Sequence, residues 1–244
     1  MRNYLVTETR RVLRDRQYLL FAIGFPVLIY TFFSQVGVTH GQIAGTDGTA
    51  YSMVSMAAFG AISSTVFLGS RIAAERRIGW NRHLRITPLQ ASTYVVVKVL
   101  SGLITAVPSA VLVLLAGAAV AGVRLPVLSW PGIVLAFALG VLPFAALGVA
   151  IGYATSGDAA QPVAAATYMT LSMLGGLWFP AELMPSWMAQ TAHILPTYHL
   201  ADLGWRILAG RPQRVADVLI LAAWGAAFAA TAVLLYRRDT ERMN

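Results

Sequence analysis

Charged residues are missing from most of this chain, and the gaps are long. Asp, Glu, Lys and Arg are absent from Gln17–Thr46, Gly48–Ser70, Val99–Val123, Leu125–Gly157, Ala159–Ala181 and Val218–Tyr236, and each stretch is strongly apolar. None alternates apolar and polar positions as the strands of a membrane barrel do. A hydrocarbon core about 30 Å thick is crossed by roughly 20 apolar residues in an α-helix. In lipid, helices and closed barrels are the structures that satisfy their own backbone. The pattern therefore predicts an all-α membrane protein with six transmembrane helices.

The expected spans lie near Tyr18–Val38, Tyr51–Ser70, Thr93–Ala121, Gly132–Tyr153, Pro162–Pro180 and Val218–Tyr236. Pro26 falls inside the first and Pro108 inside the third. A proline kinks a helix unless neighbours satisfy the carbonyl it frees. Residues 2–16 read as an interfacial helix, with Arg side chains at the headgroups and Tyr4, Leu5, Val12 and Leu13 dipping inward; a frayed basic tail is the alternative. The segment Ala181–Asp217 holds Pro185, Trp187, Pro196, Tyr198 and Trp205 and is too broken for a further span. It is expected to form an outer re-entrant helical hairpin with its rings at headgroup depth. Residues 1–244 then make one transmembrane domain, comprising an interfacial helix (1–16), a cytoplasmic segment (71–92) and the outer hairpin (181–217).

Composition narrows the function. The 244 residues are 57% hydrophobic, so six helices leave no room for a separate soluble domain. No cysteine is present, which removes disulfides, thiol nucleophiles and zinc–thiolate sites. The net charge of +8 could suggest nucleic acid, but the basic residues sit beside the spans. About 14 of the 18 fall at the N-terminus, between spans two and three, or in the tail. By the positive-inside rule, both termini and Arg71–Ser92 are expected in the cytoplasm. The first apolar run is too long for a signal peptide. Intramembrane ionisable residues build proton relays and ion paths; the six charge-free stretches hold none, and energy is expected from elsewhere.

Two segments could carry chemistry. After the second span comes Arg71-Ile-Ala-Ala-Glu75-Arg76-Arg77-Ile-Gly79-Trp80-Asn-Arg82-His-Leu84-Arg85-Ile-Thr87-Pro88. Gly79 can end one helix and Pro88 a second, leaving a short surface helix that a soluble partner can push; a plain topology-setting loop is the alternative. The second segment is Gly175-Gly176-Leu-Trp178-Phe179-Pro180, followed by Pro185, Trp187 and Leu195-Pro196-Thr197-Tyr198. Paired glycines permit close helix approach, and Pro180 redirects the chain.

In this order within six spans, these motifs resemble the permease subunit of ABC-2-type exporters. Glu75-Arg76-Arg77-Ile78-Gly79 and Leu84-Arg85-Ile86-Thr87-Pro88 stand where members show E-R-x-x-G and L-x-x-T-P. Gly176-Leu177-Trp178-Phe179-Pro180 stands for a G-x-x-F-P-like span end. Leu195-Pro196-Thr197-Tyr198 stands for an N-P-x-x-Y-like element, with Leu in place of Asn. The chain also lacks an acidic residue just after Gly79.

The resemblance implies an ATP-driven exporter of amphipathic or lipid-like cargo, such as a drug or antibiotic. Glu75, Arg76, Gly79, Trp80, Arg82, Leu84, Thr87 and Pro88 would couple to a separate ATPase subunit. Gly175, Gly176, Trp178, Phe179, Pro180, Pro185, Trp187, Pro196 and Tyr198 would form the outer re-entrant gate. A pathway between two permease copies, or this chain and a paralogue, would be lined by Phe25, Phe32, Phe33, Phe59, Tyr168 and Met173. Membrane lipids are further partners and nucleic acid is not. A non-transporting membrane sensor or assembly factor is the competing reading.

No G-x-x-x-x-G-K-[ST] occurs and Lys98 is the sole lysine, so ATP and Mg are expected on the partner and no cofactor on this chain. Glu182, His193, His199 and Asp202 fit no zinc spacing, read as exposed polar residues, and leave no metal expected. No nucleophile motif supports an intramembrane hydrolase. Gly148 and Gly152 form a small-xxx-small pair suited to packing within the chain or to a dimer contact.

Overall fold

A break at Asp15 separates the first helix from the first apolar one. In the computed structural model, which describes residues 2–36, 41–77 and 91–241, α1 (Arg2–Arg14) is amphipathic. It buries Glu8 and Val12 and exposes Arg10, Arg11 and Arg14. Asp15 Oδ1 accepts from the Tyr18 backbone N–H at 3.0 Å and restarts the helix as α2 (Arg16–Leu19). A π-helical turn (Leu20–Gly24) leads into α3 (Phe25–Val36). Pro26 sits just after this widened turn. The carbonyl that its missing N–H leaves free, on Ala22, accepts from Ser109 Oγ at 2.7 Å and Ser63 Oγ at 3.3 Å. The expected proline defect is thus repaired by two neighbouring helices.

A two-residue-strand hairpin, β1 (Gln42–Ile43) against β2 (Thr46–Asp47), ends at Asp47. Its carboxylate accepts from the Ala50 N–H at 2.9 Å and caps α4 (Gly48–Val66). After a turn at Phe67 the same path continues as α5 (Leu68–Arg77). Together they form a 30-residue helix whose apolar window is 94% buried, the pillar of the fold. The sequence allows this because α4 is made of small and hydroxyl residues. Ser55, Ser64 and Thr65 return their hydroxyls to carbonyls one turn back, at 2.9–3.3 Å, so they are buried at little cost.

Around the pillar stand α6 (Ala91–Ala119), α7 (Ser129–Gly140) and α8 (Leu142–Ala154), α9 (Ala160–Leu174), and α12 (Val215–Glu241). Helices α7 and α8 form one span interrupted at Val141, just before Pro143. Between α9 and α12 lie a 3₁₀ turn (Ala181–Leu183), α10 (Ser186–Ala192) and α11 (Pro196–Leu208). Helix α11 packs against α4, α7 and α12 and buries most of Pro196–Trp205, while Trp187 of α10 is exposed.

Among the described residues, four helical paths are long and apolar enough to cross a membrane, not six: Gly48–Arg77, Val96–Ala119, Ser129–Ala154 and Val215–Asp239. Leu20–Val36 is apolar but shorter. Helix α9 ends at Leu174, short of Pro180, because Gly175 and Gly176 (φ +84°) take the chain out of the helix. The third span also starts earlier than its charge-free stretch and takes in Lys98.

Gly69, Gly148 and Gly152 let α5 and α8 touch backbone to backbone. A Cβ on Gly148 would stand 2.5 Å from the Thr65 carbonyl oxygen, one on Gly152 2.7 Å from that of Gly69, and one on Gly69 would collide with that of Gly148. The small-xxx-small pair therefore serves packing within the chain. Gly69→Ala should force the helices apart at a cost of about 1–3 kcal/mol, read as a lower melting temperature in detergent. Gly102→Ala, whose Cβ would meet Thr65 Cγ2 at an ordinary 3.5 Å, should be neutral or slightly stabilising; equal losses in the two variants would refute the close contact.

Candidate functional site

Two polar constellations sit at opposite ends of the pillar. At the Arg-rich end, Lys98 is fully buried. Its ammonium donates to Glu8 Oε1 at 2.5 Å and Glu75 Oε1 at 2.7 Å, and Glu75 also accepts from Arg11 Nη1 at 3.0 Å. Both carboxylates are 4% exposed or less, so α1, α5 and α6 meet in a largely buried ionic network. Lys98 thus lies inside the third apolar helix, one residue before its charge-free stretch begins.

Arg76 makes a second tie. It pairs with Asp239 of α12 and donates to the carbonyls of Gly152, Tyr153 and Thr155 at 2.8–3.4 Å. These oxygens belong to the last turn of α8, where helix carbonyls lack intrahelical donors and the dipole favours a cation. Its guanidinium carbon also lies 5.1 Å from the Tyr153 ring centroid. Arg71 reaches Asp15 at 3.4 Å, and Arg77 pairs with Asp158. Of the expected coupling residues, then, Glu75 and Arg76 face into the fold. Gly79, Trp80, Arg82, Leu84, Thr87 and Pro88 lie outside the described residues.

At the other end, the two parts of the second motif meet. Thr197 Oγ1 donates to the Leu171 carbonyl at 2.6 Å, joining the start of α11 to the end of α9. Gly175 is needed there because a Cβ would lie 2.8 Å from Thr197 Cβ. Trp178 turns back onto Phe59 (5.4 Å, edge-on) and Phe33 (6.4 Å). Phe59 also meets Phe25 at 6.2 Å and Tyr168 at 5.1 Å. The structure therefore gathers Phe25, Phe33, Phe59 and Tyr168 of the expected pathway residues into one aromatic cluster, with Phe59 and Tyr168 buried. Phe32 and Met173 point away and are exposed. Among the expected gate residues, Pro196 and Tyr198 are buried, Gly176 and Pro180 sit at chain reversals, Pro185 precedes α10, and Phe179 and Trp187 are exposed.

Beside this cluster, Tyr198 and Trp205 pack edge to face at 5.6 Å, Tyr51 stacks on Trp205 at 4.5 Å, and Trp205 Nε1 donates to Ser55 Oγ. His199 is 5% exposed rather than a surface residue. Its Nδ1 lies 2.7 Å from Asp217 Oδ1 and its Nε2 2.9 Å from the His193 carbonyl. Arg206 Nε stands 3.4 Å from Asp202 and 3.9 Å from Asp217. No group of three or more metal-ligating side chains occurs among the described residues. Sequence reasoning missed both buried networks. A sole lysine in an apolar helix, with one acidic residue in the basic first helix, was the available signal.

A family model described as ABC-2 family transporter protein matches residues 36–235. The chain belongs to that family. A relative in Bacillus subtilis (strain 168), named "Putative transport permease YvfS", is 31% identical over 220 residues, covering 90% of this chain and 89% of that protein. In this ABC-2 family member the match takes in the pillar, the buried lysine and both halves of the second motif.

Two outcomes are expected. Lys98→Met removes the ammonium that two buried carboxylates share, and breaking such a network costs on the order of 3–5 kcal/mol. It should lower the melting temperature and expose α1 to trypsin at Arg10 and Arg11; adding Glu8→Gln should recover part of the loss.

The second concerns pH. Loss of water around Asp202, then the hydrogen bond and charge of Asp217, push its carboxyl up from 3.8 to about 6, against the pull of Arg206 and Arg214. The folded state then holds a proton that the unfolded chain has lost between about pH 4 and 6. Stability should fall as pH rises through that window and level off above it. Melting curves in a pH series should show this for the native chain and a flatter response for Asp202→Asn; an unchanged slope in the variant would exclude Asp202 as its source.

Proposed function

We propose that this chain is the membrane subunit of an ATP-driven exporter. A separate ATPase subunit binds ATP and Mg and docks on residues 78–90, and a second permease copy or a paralogue completes the pathway. The cargo is amphipathic or lipid-like. In this reading six spans cross a bacterial plasma membrane, the shorter helices of Leu20–Val36 and Ala160–Leu174 included. Both termini are cytoplasmic, and α10 with α11 forms the outer re-entrant hairpin over residues 181–217.

The observation that carries the reading is the anchoring of residues 78–90 on both flanks. Glu75 stands before this segment and Lys98 after it, and the two are bonded to each other inside the fold. Arg76 binds α8 and α12. A push on the segment therefore acts on fixed helix ends and passes into the 94% buried pillar. That pillar carries Phe59 into the aromatic cluster at its far end, beside the gate motif. Family membership supplies the separate ATPase, and the apolar, aromatic character of the cluster favours apolar cargo.

Trp80 and Leu84 are four residues apart, on one face if this stretch is helical, and serve as the apolar anchors of the docking surface, ringed by arginines. Interface anchors are typically worth about 2 kcal/mol or more each. Replacing both with Ser should leave membrane insertion intact, weaken ATPase-subunit co-purification more than tenfold, and abolish cargo-stimulated ATP hydrolysis in nanodiscs. Wild-type behaviour in both assays would return the segment to a topology-setting loop.

A further inference from the structure

A groove runs between α1 and α5 at the Arg-rich end. It has a volume of about 660 Å³ and is lined by Thr7, Arg10, Arg11, Arg14, Asp15, Arg71, Ala74 and Glu75. Its four arginines are not equivalent. Arg11 is held by Glu75 and Arg71 by Asp15. Arg10 and Arg14, one helical turn apart and both exposed, have no carboxylate within ion-pair distance among the described residues. The groove therefore carries two uncompensated guanidinium groups on a rigid helix, whose position is fixed from behind by the Glu8–Lys98 bond.

The surroundings select the ligand. A smaller cavity shares Asp15 and Arg71 with the groove and is lined beyond them by Tyr18, Phe21, Phe67, Ser70 and Gln161. A cationic cavity and an aromatic one thus adjoin at Asp15 and Arg71. Leu20 and Phe21, on the adjoining turn, are exposed large hydrophobics at the start of an apolar helix. A free anion makes no use of the aromatic compartment, and an acidic protein partner leaves Leu20 and Phe21 unmatched. A molecule with a phosphate at one end and hydrocarbon at the other uses both. We propose that this groove binds an anionic phospholipid, its phosphate held by Arg10 and Arg14 and its glycerol region directed toward Tyr18 and Phe21. The site stands independently of transport and requires only that the chain sit in a bilayer.

The test uses the full chain purified from mixed phosphatidylglycerol and phosphatidylcholine, with retained lipid counted by native mass spectrometry. The wild type should hold phosphatidylglycerol in preference to phosphatidylcholine, and raising ionic strength should release it. A basic side chain near an anionic lipid surface contributes about a factor of five in affinity, so Arg10→Gln with Arg14→Gln should cost roughly twentyfold in phosphatidylglycerol retention. Arg10→Lys with Arg14→Lys should keep most of it, and Arg16→Gln, an exposed arginine outside the groove, should change nothing. Unchanged retention in the double Gln variant, or no lipid preference in the wild type, overturns the proposal. So does displacement by millimolar inorganic phosphate, which would make this a free-anion site. Loss of ATPase-subunit binding with lipid retention intact would make it a protein contact and overturn the proposal as well.

Discussion

An ammonium group placed where water does not reach costs several kcal/mol unless neighbouring charges and hydrogen bonds meet it. Lys98 is in that position, and the Arg-rich end of the molecule is arranged around it. Helix α1 cannot leave without stripping Glu8 from the lysine. Helices α5 and α6 cannot separate without parting Glu75 from it. Because Glu75 and Lys98 flank residues 78–90, the network also fixes how far apart the two ends of that segment stand. Arg76, the penultimate residue of the pillar, extends the constraint to α8 and α12.

The opposite end is held by different means. There the ties are one threonine hydroxyl on a freed carbonyl, the fit of Gly175 against Thr197, and stacked aromatic rings. The His199–Asp217 pair and Arg206 join α11 to the start of α12. Between the two ends the pillar has few polar demands of its own, because its serines and threonines bond back to their own helix. Ser63 of the pillar and Ser109 of α6 also reach the carbonyl that Pro26 leaves open. One end is therefore fixed around a buried ammonium, the other by short hydrogen bonds, shape and the Arg206 ion pairs, and the aromatic cluster around Phe59 lies between the pillar and the helices that lead to the second motif.

Much of this was legible in the sequence. The absence of charge located the helices, Pro26 announced a carbonyl in need of a donor, and the paired glycines Gly175 and Gly176 marked a place of close helix approach. Other features were not legible, for physical reasons. A scan for charge-free runs must stop at Lys98, so it places the lysine at an edge when helix α6 continues through it to Ala91. Glu75 and Arg76 looked like surface charges because a one-dimensional pattern of Arg and Glu does not say which helical face meets a neighbour. His199 and Asp217 are 18 residues apart and meet only once α11 folds back. The expected fifth span came out short because composition does not register where Gly175 and Gly176 end a helix.

The contrast between the pillar and α12 explains why such polar devices are needed. The apolar window of α12 is 11% buried and exposes Leu219, Val233 and Leu234, whereas that of the pillar is 94% buried. In water that exposed face would drive collapse or aggregation. In lipid it is at rest, since hydrocarbon tails are as apolar as leucine and helices gain little by hiding leucines from them. Apolar area therefore cannot decide which helix packs where in this chain. That selection falls to contacts lipid cannot imitate: backbone against backbone at Gly69 and Gly148, hydroxyls on a carbonyl freed by proline, and an ammonium between two carboxylates. The residues that decide the fold are thus among its least hydrophobic, and they lie where α1, α3, α5, α6 and α8 cross.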